Sequence, residues 1–416
     1  MTSRTYSVFS LLRNALSGHR HWLPAWSDSE PRTCYDVIII GAGGHGLATA
    51  YYLAKRYGIS NVAVLDKGWL GGGNTGRNTQ VVRSNYFWPA SAKFYDHSLQ
   101  LYEGLTQELN MNIMLSQRGQ VTLAHSEHEL ERIRRWSNAI LVNGVDSELL
   151  SVQQLRARIP LLNISSRFPV LGAFVQPRSG IARHDAVAWA YARAASALGV
   201  DLIQQCEVTG LNISGGRITG LTTSRGKIAT ERVGIAVAGH TSVIAQMAGI
   251  RVPITSMALQ AMVTEPIKPC LDSIVLSPTI HCYVSQSDRG EIVLGGGADP
   301  YNSYAQRGGI PTLEANVSAM LELFPAFGRL RLMRQWAGIV DISPDTTPIM
   351  GKTPVEGLYI SGGWGTGGFK AIPGGGDTMA YTIANDTPHP LIEAFGLDRF
   401  ESGALVDEGA AAGVAH

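Results

Sequence analysis

Tyr35-Asp-Val-Ile-Ile-Ile-Gly-Ala-Gly-Gly-His-Gly46 is an apolar run of strand length that enters a glycine-rich turn. An apolar, alanine-rich stretch follows to Tyr57, and a second short run, Asn61-Val-Ala-Val-Leu-Asp66, ends on an acid 20 positions after Gly46. Strand, G-x-G-x-x-G, helix, strand and acid, in that order, make the βαβ dinucleotide-binding fingerprint. Gly41 permits the tight turn. Gly43 lets the backbone approach a pyrophosphate, whose charge sits at the positive end of the following helix. Gly46 lets that helix lie close on the strand, and Asp66 can accept from ribose hydroxyls. A glycine triplet alone is a weak signal, because a tight turn in an ordinary α/β sheet has the same letters. The complete unit is specific.

A chain of 416 residues can bury a large core and divides into two domains by size. Apolar residues make up 45% and charged residues 16%, a globular profile. The net charge of +1 gives no reason to expect nucleic acid or an acidic surface as partner. The four cysteines, Cys34, Cys206, Cys270 and Cys282, form no CxxC pair, so no metal site is expected. Nothing requires disulfides, which fits a reducing, cytoplasmic setting. The apolar residues near the N-terminus (Val8, Phe9, Leu11, Leu12) are too few for a signal peptide, and no segment reaches membrane-spanning length. The 47 glycines cluster at 41–46, 71–73, 295–297 and 362–376, a pattern that suits loops passing close to a cofactor.

Residues 1–34 form an arm that mixes Arg4, Arg13, His19, Arg20 and His21 with Trp22 and Trp26. It reads either as a docking element for another subunit or as a segment packed on its own domain. Helices are expected at about 91–109, 126–158 (around a turn at Asn143-Gly144), 185–198, 313–325 and 375–385. Strands are expected at 117–124, 202–210, 217–224, 226–230, 233–238, 257–265, 280–286, 291–297, 334–341 and 357–363. The hinge Ser214-Gly-Gly-Arg217 makes a hairpin of the strands around it. The expected fold is α/β, a Rossmann-like dinucleotide domain split by an inserted antiparallel-sheet (α+β) domain. Its segments are 35–117, 178–250 and 344–400 for the dinucleotide domain, 118–177 and 251–343 for the substrate domain, and 401–416 for a tail.

Three blocks, Gly41–Gly46 with Asp66, Ala236-Val-Ala-Gly-His-Thr-Ser242, and Leu358–Gly376, resemble the glutathione-reductase-type flavoproteins and, within them, the amine-oxidising, glycine-oxidase-like branch. Closer matches are Arg77-Asn-Thr-Gln-Val-Val-Arg-Ser-Asn-Tyr86, Gln176-Pro-Arg-Ser-Gly-Ile-Ala-Arg-His-Asp185 and Gly363-Trp-Gly-Thr-Gly-Gly-Phe-Lys370. They are similar to the β-subunit family of the heterotetrameric sarcosine oxidases, over nearly the whole chain from Tyr35 to Asp407. The resemblance implies non-covalent FAD, because no cysteine stands at the covalent attachment site of the monomeric relatives. It assigns to FAD the loop Gly41, Ala42, Gly43, Gly44, His45 and Gly46, then Asp66 and Lys67. It adds Asn74, Thr75, Arg77 and Asn78, with Val208 and Gly239, and the turn residues Gly363, Gly365, Thr366, Gly368, Phe369 and Lys370.

The resemblance further implies oxidative demethylation of sarcosine to glycine. Lys370 and Arg83 are the implied clamp for the carboxylate, a task suited to a cation in a close turn and to a planar guanidinium fork. From sequence alone each is an ordinary surface or structural cation. Tyr283 lies where relatives carry an aromatic near the substrate, although a tyrosine in an alternating strand is ordinarily core. The histidine those relatives carry in the next strand is replaced by Gly295-Gly-Gly-Ala-Asp299, so its role has no bearer. His184 alone would read as a cap or a solvent-facing residue; the resemblance makes it the covalent attachment point of FMN. Electrons would pass from FAD to FMN and oxygen, giving hydrogen peroxide and formaldehyde or methylenetetrahydrofolate. Implied partners are α, γ and δ subunits, with NAD and tetrahydrofolate on the α subunit. A dimethylglycine, D-amino-acid or opine oxidoreductase, and a non-catalytic flavin-binding subunit, remain open as alternatives.

Overall fold

A computed structural model describes residues 7–18, 20, 24–406 and 408. Arg4, His19, His21, Trp22 and Asp407 lie outside them, as does the tail beyond 408. The fingerprint strand Val37–Ile40 sits inside a six-stranded sheet ordered Ile349–Lys352, Leu358–Gly362, Val233–Ile235, Val37–Ile40, Val62–Leu65 and Asp201–Ile203. All pairs are parallel except that between Ile349–Lys352 and Leu358–Gly362. Successive side chains face opposite sides of a strand. Accordingly Val37 and Ile39 pack with Leu47, Ala188 and Met379 of the helices on one face, whereas Ile38 and Ile40 pack with Ile218, Leu221 and Ile244 on the other. An unbroken apolar strand is what burial on both faces demands.

An eight-stranded sheet is built from two separate stretches of chain. Leu332–Ile342, Thr255–Pro266, Glu291–Asn302, Cys282–Gln286 and Ile274–Ser277 come from the later stretch. Gln120–Ala124, Gly172–Gln176 and Glu148–Leu150 come from the earlier one. The sheet is antiparallel except where the two stretches meet, at the parallel pair of Ile274–Ser277 with Gln120–Ala124. Strands joined by a long connection are free to pair this way, whereas hairpin neighbours are not. Val121, Val175, Val284 and Leu294 pack there with Met320 and Leu323 of the helix Ile310–Leu323.

Several local expectations change. The single strand expected over 202–210 is two, because Gln205 takes a left-handed φ of 52°. Asp201–Ile203 joins the parallel sheet, and Val208–Ser214 forms the hairpin with Arg217–Thr223. The helical reading of 126–158 is interrupted by the strand Glu148–Leu150. Residues Val8–Leu16 of the arm are helical, with Ser7 accepting from Ser10 N as cap. Trp26 packs against this chain's own core.

Two glycine clusters serve packing as well as loops. In the helix Ile372–Asn385, a Cβ on Gly374 would come 2.8 Å from Ser98 Cβ, one on Gly375 2.7 Å from His45 Nδ1, and one on Gly376 2.4 Å from Ala48 Cβ. That run exists so that this helix can lie against its neighbours. Gly295, in a strand, leaves room for the phenol of Tyr283, whose oxygen would be 2.4 Å from an added Cβ. Among the described residues no helix is long and apolar enough to cross a membrane, and no group of three or more His, Cys, Asp or Glu side chains is placed to hold a metal ion.

Candidate active site

A cavity of about 580 Å³ runs from the C-terminal edge of the parallel sheet to the eight-stranded sheet. That volume lies within the range of small-molecule sites, roughly 300–1,000 Å³. Its walls include Gly41, Gly43, Gly44 and His45, Asp66 and Lys67, Asn74, Thr75, Arg77 and Asn78, Val208, Gly239, and the turn residues Gly365, Thr366, Gly368, Phe369 and Lys370. Arg83 and Tyr283 line it too. Of the residues assigned from sequence, Ala42, Gly46, Gly363 and His184 are not on the wall.

The phosphate loop has the geometry its glycines permit. Gly41 is left-handed at φ 107°, and a Cβ there would lie 2.3 Å from the Ala236 carbonyl oxygen. At Gly46 a Cβ would lie 1.9 Å from the Gly41 carbonyl oxygen, so only glycine admits the close helix–strand approach. A Cβ on Gly43 would touch only Thr75 Oγ1, at 3.3 Å; the rest of that space is cavity. The helix Gly44–Tyr57 begins there, and the positive end of its dipole suits an anion. Asp66 accepts from Ala42 N and Gly68 N, both at 2.8 Å, and so fixes the loop as well as facing the cavity. Burial raises its pKa above the usual carboxylate value.

The second glycine turn is held by its own side chains. Asn74 pairs with the backbone of Ile339 like a short strand, its Oδ1 accepting from Ile339 N at 2.8 Å and its Nδ2 donating to Ile339 O at 2.5 Å. Arg77 Nη1 donates to the Gly72 and Gly73 carbonyls. Thr75 Oγ1 accepts from Gly44 N at 2.9 Å. Lys67 Nζ meets His240 Nε2 at 3.2 Å.

At the other end of the cavity Lys370 and Arg83 are 5% and 6% exposed and close enough to repel. Burial first, and Arg83 second, hold the Lys370 ammonium well below its ordinary pKa. Lys370 Nζ donates to Thr366 O at 2.8 Å, and Arg83 Nη1 donates to Asn85 Oδ1 at 2.7 Å while its guanidinium lies 4.6 Å from the Tyr86 ring centre. Each of these buried cations disfavours the other's charge, so a substrate anion placed between them would relieve the repulsion; Arg83 also acts electrostatically on the Glu408 carboxylate. Tyr283 is bonded to the Thr79 hydroxyl, and burial raises its pKa.

His184 opens the helix His184–Ala197, away from this cavity. It is flanked by the Arg183–Asp185 ion pair. Burial holds its pKa below the ordinary value, opposed by Asp185 and assisted by Arg183 and Arg289. Its Nδ1 is buried without a hydrogen-bond partner among the described residues. The neutral imidazole therefore keeps an uncommitted nitrogen, the form required of a nucleophile.

Sequence reading missed Asp341. It is 1% exposed, lines the cavity and accepts from Trp364 N at 3.2 Å; burial raises its pKa to about 7. The available signal was an acid inside the apolar strand run Ile339-Val-Asp-Ile342. It missed Glu408 as well, whose buried carboxylate accepts from Phe87 N at 3.2 Å and Trp88 N at 2.9 Å.

A family model described as FAD dependent oxidoreductase matches residues 36–382. The chain is 53% identical over 414 residues to sarcosine oxidase subunit beta of Rhodobacter capsulatus, covering 99% of this chain and 100% of that protein. It is 50% identical over 404 residues to the subunit of that name from Rhizobium meliloti, covering 97% of each. Among solved structures it superposes on L-proline dehydrogenase from P. horikoshii with a TM-score of 0.85 at 28% identity, covering 90% of this chain and 100% of that one. Glycine oxidase from Geobacillus kaustophilus shares the fold, with a TM-score of 0.81 at 22% identity over 88% of this chain and 99% of that one. This chain belongs to the FAD-dependent oxidoreductase family and, within it, to the sarcosine oxidase β subunits.

Proposed function

We propose that this flavoprotein, an oxidoreductase acting on CH–NH donors, oxidises sarcosine to glycine in the cavity shared by the phosphate loop and the Lys370–Arg83 pair. The observation that carries this reading is the pair itself: two buried cations on the wall of a cavity whose opposite end is a dinucleotide loop. The segments 35–117, 178–250 and 344–400 would form the FAD-binding unit, and 118–177 with 251–343 the substrate unit. The residues fit FAD held without a covalent bond: Gly43 leaves open space at a helix N-terminus, and Asp66 faces the cavity. FAD supplies the hydride acceptor, and FMN on His184 the onward route to oxygen.

The chain's own contribution is binding, orientation and exclusion of water. Arg83 offers a fork and Lys370 a point charge to one carboxylate. Tyr283, held by Thr79 and seated over Gly295, forms an aromatic wall that limits where the N-methyl group can lie. Formation of peroxide, with formaldehyde or methylenetetrahydrofolate as the fate of the methyl carbon, belongs to the same proposal. So do α, γ and δ partner subunits, NAD and tetrahydrofolate on the α subunit, and a cytoplasmic location.

Two results test the assignment of the two ends. Gly43→Val puts branched carbon into the space where the backbone should meet pyrophosphate oxygens, so the purified variant should contain no FAD. Full FAD content would move the site elsewhere. At the other end, a carboxylate entering beside Lys370 restores the charge that burial and Arg83 oppose. Binding should therefore take up a proton where the pH lies between the empty-site pKa of Lys370 and its higher value in the occupied site, and affinity should fall as pH rises across that window. Methoxyacetate has an ether oxygen in place of the sarcosine amine and so adds no titration of its own near neutrality. Calorimetry in two buffers of different ionisation enthalpy measures the uptake. Binding without proton exchange at every pH would separate Lys370 from the carboxylate.

A further inference from the structure

Four carbonyls of the turn at 366–370 are each held by a side chain. Lys370 Nζ donates to Thr366 O at 2.8 Å, Tyr102 OH to Phe369 O at 2.6 Å, and Ser98 Oγ to Lys370 O at 2.7 Å. The fourth, Gly368 O, lies 2.8 Å from His45 Nε2. Ser98 and Tyr102 come from the helix Pro89–Glu108. His45 comes from the phosphate loop, one residue after Gly44 in the first turn of the helix Gly44–Tyr57.

The imidazole is tightly defined. It stacks on Trp364 with ring centres 4.2 Å apart at 25°, and Gly375 leaves no room for a side chain on its other edge. Burial holds its pKa down at about 4, so it is neutral near pH 7. A carbonyl only accepts, so Nε2 carries the proton. Nδ1 is then an acceptor without a partner among the described residues, buried against the Gly375 backbone. An orphaned buried acceptor costs free energy, and an apolar residue would fill the space without that cost. Besides its stack on Trp364 and its place on the cavity wall, the one polar contact that calls for an imidazole is the bond from Nε2 to Gly368.

We propose that His45 is a positioning residue of the substrate clamp, one that ties the dinucleotide loop to Gly368 and thereby sets Lys370, so that cofactor seating and carboxylate grip are linked. The inference rests on Lys370 as the clamp. Linkage of this kind is reciprocal: whatever the seated cofactor does for the carboxylate, the carboxylate does for the cofactor.

Two amide variants of the FAD-loaded protein separate this role from simple packing. His45→Gln keeps an N–H donor at the reach of Nε2; His45→Asn places its amide at the reach of Nδ1, where it faces Gly375. Methoxyacetate binding is read from the perturbation of the flavin spectrum. The Asn variant should bind it about tenfold more weakly, the loss of one buried hydrogen bond, and the Gln variant within about threefold of wild type, with FAD content equal in both. Equal affinities in the two variants would overturn the proposal. Parallel loss of FAD from both would make His45 a cofactor ligand instead, and also overturns it. In the wild-type protein saturating methoxyacetate should slow FAD release; release at one rate with and without it ends the linkage even where neither variant folds. Lys370→Met with unimpaired methoxyacetate binding would defeat the clamp itself, whereas a normal Lys370 effect beside equal Asn and Gln variants defeats only the role of His45.

Discussion

Lys370→Met should weaken sarcosine binding by one to two orders of magnitude and at the same time leave the protein no less stable. The first half follows from the lost charge-assisted hydrogen bond, about 1.5–3 kcal/mol in a site shielded from water. The second half follows from the burial of the ammonium. A lysine whose folded pKa is depressed costs stability in full below that depressed value, and the cost shrinks as the pH rises from there to the unfolded value of about 10.4. Methionine removes the charge, keeps most of the volume and relieves the repulsion with Arg83. It gives up the bond to Thr366 O, which tempers the gain. Stability and affinity should therefore move apart, which a generally damaged fold cannot do.

Arg83→Met should act in the same direction on affinity, and the two changes should be non-additive if both cations hold one carboxylate. Misplacement of the N-methyl carbon should slow flavin reduction beyond the binding loss. Stopped-flow traces resolve reduction by sarcosine from reoxidation by oxygen. If FAD reduction is normal in Lys370→Met and only reoxidation is slow, Lys370 serves the oxygen half of the cycle and the clamp is wrong.

How much of this could be read from the chain depends on which physical rule each residue obeys. The βαβ unit was fully legible because each of its glycines answers a local steric demand, and the structure meets those demands at Gly41 and Gly46. Gly374, Gly375 and Gly376 obey a different rule. They face Ser98, His45 and Ala48, which are far away in sequence, so the expected helix at 375–385 was legible but its start at Ile372 and the packing purpose of the glycines were not. Gly295 is similar: its lack of a side chain makes the floor beneath Tyr283, a contact across strands that the letters do not show. The burial of Lys370 beside Arg83 was equally hidden, since the two lie 287 positions apart and each alone looks like a surface cation. The break at Gln205 and the parallel join between Ile274–Ser277 and Gln120–Ala124 depend on tertiary pairing, which local propensity does not encode. Asp341 was legible in principle, as an acid in an apolar strand, but its burial against the Trp364 backbone was not.

The largest expected change is at His184, where the outcome is all or none. If the imidazole carries FMN through a covalent bond, acid-precipitated wild-type protein should be yellow and His184→Ala protein colourless, while both release the same non-covalent FAD into the supernatant. The fold gives no reason for the variant to fail by itself. His184 Nδ1 holds no hydrogen bond among the described residues, and the Arg183–Asp185 pair beside it needs nothing from the imidazole. Alanine is also a good residue for the first turn of the helix His184–Ala197. FAD retention in the variant is the internal control, because His184 does not line the cavity proposed for FAD. Burial and the neighbouring guanidinium groups of Arg183 and Arg289 hold the imidazole neutral, so its lone pair is available for bond formation near pH 7. Peptide mass spectrometry fixes the site: the wild-type peptide spanning Arg183 to Asp185 should carry an addition of FMN mass, and no other peptide should. An FMN-sized addition on a different residue, or none on the wild-type protein assembled with its partner subunits, would return His184 to the role of an ordinary helix-start residue and leave this chain with a single flavin.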